Sequence, residues 1–175
     1  IWYNSITESW LDPSINNSEF IPLNYITFRS ERRQSGGGVV LAVNAQFNVK
    51  CLNMSTFKDF FLCDIIGCKL FCQEGNLHIF VVYIPPDLSV TNFVLFIECF
   101  ESYAIELSNI FLIGDFNSPS FSSNKNDTKS SSLRNMASLL NLTQLNSIPN
   151  SDGRLLDLVF STSTHCTVSR DLCPL

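Results

Sequence analysis

The stretch Asn109-Ile110-Phe111-Leu112-Ile113-Gly114-Asp115-Phe116-Asn117 decides how the chain is read. Its apolar run from Ile110 to Ile113 predicts a short buried strand. The run stops at Gly114, and an acid and an amide follow two positions apart. Along extended chain, residues i and i+2 project to the same side. Asp115 and Asn117 are therefore expected to converge just beyond the strand, an anionic oxygen able to bind a cation beside an amide that offers both donor and acceptor. Gly, Asp and Asn are also ordinary turn residues, and the rest of the chain decides between the two readings.

Upstream, Leu77 to Tyr83 is nearly all apolar, as a strand buried on both faces would be. Two prolines in Ile84-Pro85-Pro86-Asp87 forbid further pairing, so the Tyr83 phenol sits at the same kind of strand end as Asp115. Phe60 to Phe71 reads as its hairpin partner across the turn Gln73-Glu74-Gly75-Asn76. Thr91 to Leu107 predicts a helix with Phe93, Phe96, Ile97, Phe100 and Ala104 along one side, which makes the order strand, helix, strand. Downstream, the Ser/Asn/Lys-rich segment Ser118 to Ser132 reads as a long mobile loop. Ser131 or Ser132 then caps a second helix, Leu133 to Leu142, with Met136, Leu139 and Leu140 inward. Leu155 to Phe160 reads as a strand interrupted by Asp157. A buried lone carboxylate is costly and needs a partner; the other reading is an outward-facing Asp on an edge strand.

At the N-terminal end, Ile1 to Ile6 suits a strand, and Thr7-Glu8-Ser9-Trp10-Leu11-Asp12 follows it. Glu8 is a candidate inward carboxylate, against the commoner fate of a solvated loop Glu. Arg29, Glu31, Arg32 and Arg33 form the charge cluster of Phe20 to Ser35, either a solvated loop or a basic loop for phosphate contact. Gly36-Gly37-Gly38 opens the β-branched strand Val39 to Val43. It lacks the Lys-Ser/Thr and following helix of a phosphate cradle, and a flexible entry to a strand is expected.

Composition narrows the function. The 175 residues suit a single domain, 1–175, with a sizeable core, and 45% hydrophobic content with 15 Phe supports a folded chain. No apolar run is long enough to span a membrane, so no membrane partner is expected, and no secretory signal is visible. A net charge of −5 argues against bulk electrostatic coating of nucleic acid. It leaves room for an enzyme that meets phosphate through a bound divalent ion. The seven Cys, without a C-x-x-C pair, and the two His, His78 and His165, speak against zinc. Buried thiols in a reducing, intracellular compartment are expected, and His78 reads as edge or core packing.

Taken together, these residues resemble the endonuclease/exonuclease/phosphatase superfamily, most of all the apurinic-type endonuclease domain of non-LTR (LINE-type) retrotransposons. The matching pieces come in family order: Thr7-Glu8-Ser9-Trp10-Leu11, Arg33 to Val43 around Gly36-Gly37-Gly38-Val39, Tyr83-Ile84-Pro85-Pro86, Gly114-Asp115-Phe116-Asn117, and Leu156-Asp157-Leu158-Val159-Phe160. Each is weak alone. Five in order, over nearly the whole chain, are specific.

The resemblance implies an α/β (α+β) four-layer, DNase I-like sandwich: two mixed sheets face to face, helices outside, and an active site in the loops at one end. It implies that Glu8 binds a catalytic Mg²⁺ (or Mn²⁺), that Asp115 positions or deprotonates the attacking water, and that Asn117 orients the water or the phosphate. Tyr83 would hydrogen-bond the scissile phosphate, and Asp157 would orient a histidine. That histidine, in a Ser-Asp-His motif after an apolar Pro-Leu, would follow Pro174-Leu175, and a first strand carrying an Asn would precede Glu8. The domain is thus expected to be truncated at both ends, with weak or no activity as it stands. The parent protein would nick double-stranded target DNA in the nucleus, leaving a 3′-hydroxyl for reverse transcription, with a reverse transcriptase domain and the element RNA as partners. Arg32, Arg33 and Ser118 are candidate DNA contacts. The alternative is a non-catalytic remnant or exapted sandwich that acts as a binding module. A third reading, a relative acting on phosphoinositides or sphingomyelin, fits the retroelement-like Thr-Glu-Ser-Trp-Leu less well.

Overall fold

A computed structural model of the chain describes residues 3–31, 37–57, 62–122, 126–163, 166 and 168. Its centre is β6 (Gly75–Tyr83), paired antiparallel with β5 (Asp64–Cys72) and parallel with β7 (Ile110–Asp115). Parallel neighbours need a crossover, and helix α1 (Val90–Ala104) provides it between β6 and β7. With β4 (Asn48–Cys51), β9 (Asp157–Ser161) and the two-residue β8 (Thr143–Gln144) they make a six-stranded mixed sheet in the order β4-β5-β6-β7-β9-β8. A three-stranded antiparallel sheet holds β1 (Tyr3–Thr7), β3 (Val39–Asn44) and β2 (Tyr25–Ser30) in the order β1-β3-β2.

Two cores follow from the alternation of β6. Ile79, Val81 and Tyr83 face the smaller sheet and pack with Val39, Leu41, Val43, Ile66, Cys68 and Leu70. Phe80 and Val82 face the other way, onto the Phe93, Phe96, Ile97, Phe100 and Ala104 stripe of α1. The Phe80 and Phe100 rings meet edge to face, 5.1 Å between centroids. The apolar run Ile79 to Val82 within β6 is what burial on both faces requires. Among the described residues the layers are thus sheet, sheet and helices, a DNase I-like sandwich as expected from the sequence, with the smaller sheet antiparallel rather than mixed and α-helices against the larger sheet alone. On the outer face of the smaller sheet, Arg29 stands opposite Val40 and ties down the segment 12–20, which includes a 3-10 turn at Asn17–Glu19. The Arg29 guanidinium donates to Ile15 O (2.6 Å), Asp12 O (3.0 Å) and Asn17 Oδ1 (3.1 Å), pairs with Glu31 and lies over the Phe20 ring.

Most boundaries shift by a few residues from the sequence reading, Leu139 is exposed rather than inward, and two shifts matter for the site. The second helix, α2, runs Thr128–Leu139 rather than starting at Leu133. Its cap is Asp127, whose carboxylate accepts from Ser130 N at 2.9 Å. Asp is as good a cap as Ser, and the serine run that looked like loop is the first turn of the helix. The strand β6 also begins at Gly75, so the β5–β6 hairpin is tighter than the four-residue turn expected.

Candidate active site

The pairing registers put the chemistry-bearing residues in one row. Asp64 is opposite Tyr83, Tyr83 opposite Asp115, and Asp115 opposite Asp157. Directly opposed residues share a face of a sheet, and Tyr83 belongs to the inter-sheet core. The row therefore points towards the smaller sheet at one end of the sandwich. Glu8 reaches the same end from beyond β1: Tyr83 Oη donates to Glu8 Oε1 at 2.8 Å.

Backbone geometry holds Glu8 there. Ser9 N and Trp10 N donate to Gly38 O and Gly37 O, each at 3.1 Å, continuing the β1–β3 ladder past its last strand residues. Glu8 and Trp10 both take left-handed backbone angles, φ 52° and 50°. Gly38 has φ 84°, and a Cβ on it would lie 2.7 Å from Ser9 Oγ. Its N–H donates to Asp64 Oδ2 at 3.0 Å. Gly37 and Gly38 are thus a fixed anchor rather than a flexible entry to β3. Asp64, buried at the first position of β5, joins that anchor to the row.

At the end of β7 the Asp-Phe-Asn turn is fastened on three sides. Ile84 N donates to Asp115 O (2.9 Å) and Phe116 N to Leu156 O (3.1 Å). Asn117, with φ 45°, donates its backbone N–H to Asp115 Oδ1 at 2.9 Å and its side-chain amide to Ile84 O at 2.8 Å. Gly114 is required by close approach, since a Cβ there would fall inside the Val82 carbonyl. Asp157 opens β9 with its side chain exposed. Asn146, itself buried, donates to Asp157 O (2.7 Å) and accepts from Val159 N (2.8 Å). An amide side chain thus does the work of a neighbouring strand at this position.

The acids perturb one another. Burial, then the Asp157 and Glu8 charges, push Asp115 from 3.8 up to about 6, against the opposing bonds from Asn117. Although Asp157 is exposed at the surface, desolvation of its carboxyl by the surrounding protein, and then the Glu8 charge, push it upward as well. A cluster of oxygen donors whose charges repel is the donor set a hard divalent cation takes, and Mg²⁺ keeps most of its waters and needs only one or two carboxylates. The residues present fit such an ion on that chemistry. Among the described residues, however, no three His, Cys, Asp or Glu side chains are grouped so as to hold a metal by themselves.

Glu8, Tyr83, Asp115, Asn117 and Asp157, marked out in the sequence, are therefore gathered at one end of the sandwich. Ser118 is not at the surface: it is 2% exposed, with its Oγ 3.1 Å from Ser130 Oγ, so its hydroxyl serves the start of α2 rather than DNA. Arg29 is spent on the segment 12–20, while Arg32 and Arg33 lie outside the described residues, as does His165. His78 is buried with Nδ1 2.7 Å from Ser108 O, in keeping with packing. Two residues escaped the sequence reading. Asp64 heads an apolar run, the same signal that singled out Asp157, and Asn146 carries no signal short of the tertiary structure.

No protein-family model matches the chain, and no curated protein matches its sequence. The fold is shared by solved nucleases of low sequence identity. One of these is the endonuclease domain of TRAS1, a telomere-specific non-LTR retrotransposon, at 18% identity and a TM-score of 0.61, over 79% of this chain and 65% of that one. Humanized D. rerio TDP2 is similar over 99% of this chain and 70% of its own, at 11% identity and a TM-score of 0.60. An AP endonuclease from Archaeoglobus fulgidus is similar over 91% of this chain and 76% of its own, at 10% identity and a TM-score of 0.59. The chain thus spans just under two thirds of the TRAS1 domain.

Proposed function

We propose that this chain is the nuclease domain of a non-LTR retrotransposon, a divalent-metal-dependent phosphodiesterase that nicks double-stranded DNA and leaves a 3′-hydroxyl primer. The observation that carries the reading is the row Tyr83–Asp115–Asp157 across three strands of one sheet, met by Glu8 from the other at 2.8 Å. Likeness to an endonuclease domain of the same type of element supports the substrate class.

Each side chain has a part its surroundings suit. The Tyr83 bond fixes the Glu8 carboxylate, so a ligand for Mg²⁺ or Mn²⁺ is pre-positioned. When bound, the ion would neutralise charge building on the phosphoryl oxygens and the leaving group. Asp115, held by Asn117, accepts a proton from water at a carboxylate oxygen, and an acid displaced towards neutrality is better matched to that task than an ordinary Asp. Asn117 is fixed by the Ile84 carbonyl and keeps its remaining amide capacity for water or phosphate. Asp157, set by Asn146, orients a cationic or imidazole partner of the phosphate.

Plasmid nicking with Mg²⁺ against EDTA tests this, on the chain as it stands and extended by its own coding sequence. Nicking by either, abolished by EDTA and by Asp115→Ala, supports the nuclease. If neither nicks while both melt cooperatively, the reading fails and a non-catalytic binding module takes its place.

A further inference from the structure

Cys51 ends β4, the edge strand of the larger sheet, and Cys68 stands directly across from it in β5. The bond from Leu52 N to Gly67 O, 2.8 Å, fixes the phase of that ladder. Leu52 and Gly67 are the next opposed residues and form a hydrogen-bonded pair. By the alternation of antiparallel ladders, Cys51 and Cys68 are then a non-hydrogen-bonded pair. At such a pair the side chains come closest, with Cα atoms about 4.5 Å apart, within the span of a disulfide. Both point to the same face. Cys68 lies in the inter-sheet core with Ile66 and Leu70, and Val49, two residues before Cys51, packs against that core.

The two thiols are free and unequal. Cys51 is exposed beside a cleft of about 460 Å³ lined by Thr27, Leu52, Asn53 and Gly67. Cys68 has no exposed surface, and burial, with the nearby Cys51 second, pushes its thiol up to about 12. The accessible sulfur is at the edge, and the second waits beneath it.

We propose that Cys51 and Cys68 are a redox pair, in which Cys51 is attacked by a small-molecule disulfide such as oxidised glutathione and Cys68 resolves the adduct into a cross-strand disulfide. In the first step the Cys51 thiolate attacks one sulfur of the small disulfide, forming a mixed disulfide and releasing one thiolate. In the second, the Cys68 sulfur attacks the Cys51 sulfur of the mixed disulfide and its proton passes to the departing thiolate, which leaves as the second thiol. The protein is oxidised by two electrons, and the small disulfide is reduced to two thiols. The product ties the edge strand β4 to β5, and excess thiol reverses it. This inference does not depend on the nuclease reading.

The test is incubation of the folded chain with oxidised glutathione, followed by non-reducing peptide mapping. The expected result is a Cys51–Cys68 linked peptide lighter by two hydrogens. Cys68→Ala should stop at a glutathione adduct on Cys51, and Cys51→Ser should give neither product. Oxidised wild type should unfold at higher urea than reduced, and dithiothreitol should restore the lower midpoint. A wild-type adduct on Cys51 that never resolves, or a link from Cys51 to the exposed Cys72 or Cys166, would overturn it. So would a folded chain that does not react under conditions where the urea-unfolded chain forms the link.

Discussion

Asp115→Asn separates what the site does to stability from what it does to chemistry. The carboxyl is displaced upward, from 3.8 to about 6, by burial and by the Asp157 and Glu8 charges. A raised folded-state value means that the native state holds the proton more tightly than the unfolded chain. The stabilisation this gives is complete below pH 3.8 and lost as the pH rises through about 6, where the group must ionise against its neighbours. At about 1.4 kcal/mol per pH unit, the ionised form carries a cost of about 3 kcal/mol before screening. Asp115 keeps contact with solvent, which removes roughly half of that, leaving about 1–2 kcal/mol. Asn is neutral at every pH and retains an oxygen to accept from Asn117 N. In EDTA at pH 7.5 the variant should therefore be more stable by that amount. With a urea slope of about 2 kcal/mol per molar, the midpoint should rise by about 0.5–1 M. The gap should close as the pH falls from 6 towards 4, while any nicking activity is lost. A gap that stays constant from pH 4 to 8, or a variant less stable than wild type at pH 7.5, would refute the electrostatic account of the site.

Tyr83→Phe removes the bond to Glu8 but leaves the ring in the core. Stability should fall by about 0.5–1.5 kcal/mol and nicking by about 10²-fold, measured by urea melts and plasmid assays on the same preparations. Asp64→Ala strands the buried Gly38 N–H and should cost about 1–3 kcal/mol, whereas Asp64→Asn keeps an acceptor and should cost less; equal losses would mean that the Gly38 bond is not what Asp64 contributes. Asn146→Ala breaks two backbone contacts to β9 and should cost about 1–3 kcal/mol, with faster amide exchange at Val159 than at Ile79 in the middle of the sheet.

The fold was legible because its elements announce themselves locally. The nearly all-apolar Leu77–Tyr83 reads as a strand with a layer on each face, and the Phe93–Phe96–Ile97–Phe100 stripe as a helix lying on one of those layers. Serines were ambiguous. Ser130 to Ser132 suit a loop or a helix equally, and the Asp127 cap that precedes them decides for the helix, whose early start also buries Ser118. Within the site, a carboxylate or phenol at a strand end is visible in one dimension. What the sequence does not encode locally is register. Placing Tyr83, Asp115 and Asp157 at one level depends on how three strands pair. Asn146 was invisible because an amide that replaces a missing strand has no meaning until the sheet exists. Asp64, an acid set in the largely apolar run Phe60 to Leu70, carries the same local signal as Asp157.

The site also explains why the two sheets must meet as they do. Glu8 is the contribution of the smaller sheet, and its position depends on a chain of short bonds: Ser9 and Trp10 to Gly37 and Gly38, Gly38 to Asp64, and Asp64 across the register from Tyr83, which returns to Glu8. That circuit closes on itself, so moving either sheet by one residue would break several bonds at once. It holds carboxylates together at a partly desolvated end of the sandwich, where burial first and the neighbouring charges second push Asp115 and Asp157 upward. The cost is carried by the two apolar cores behind the row, and it is the part of the free energy that a bound cation would return. A ligand that binds only the folded state stabilises it in proportion to the logarithm of its concentration over Kd. A divalent ion drawn to this end of the sandwich should accordingly raise the urea midpoint of wild type more than that of Asp115→Asn, because the variant has less repulsion left to relieve.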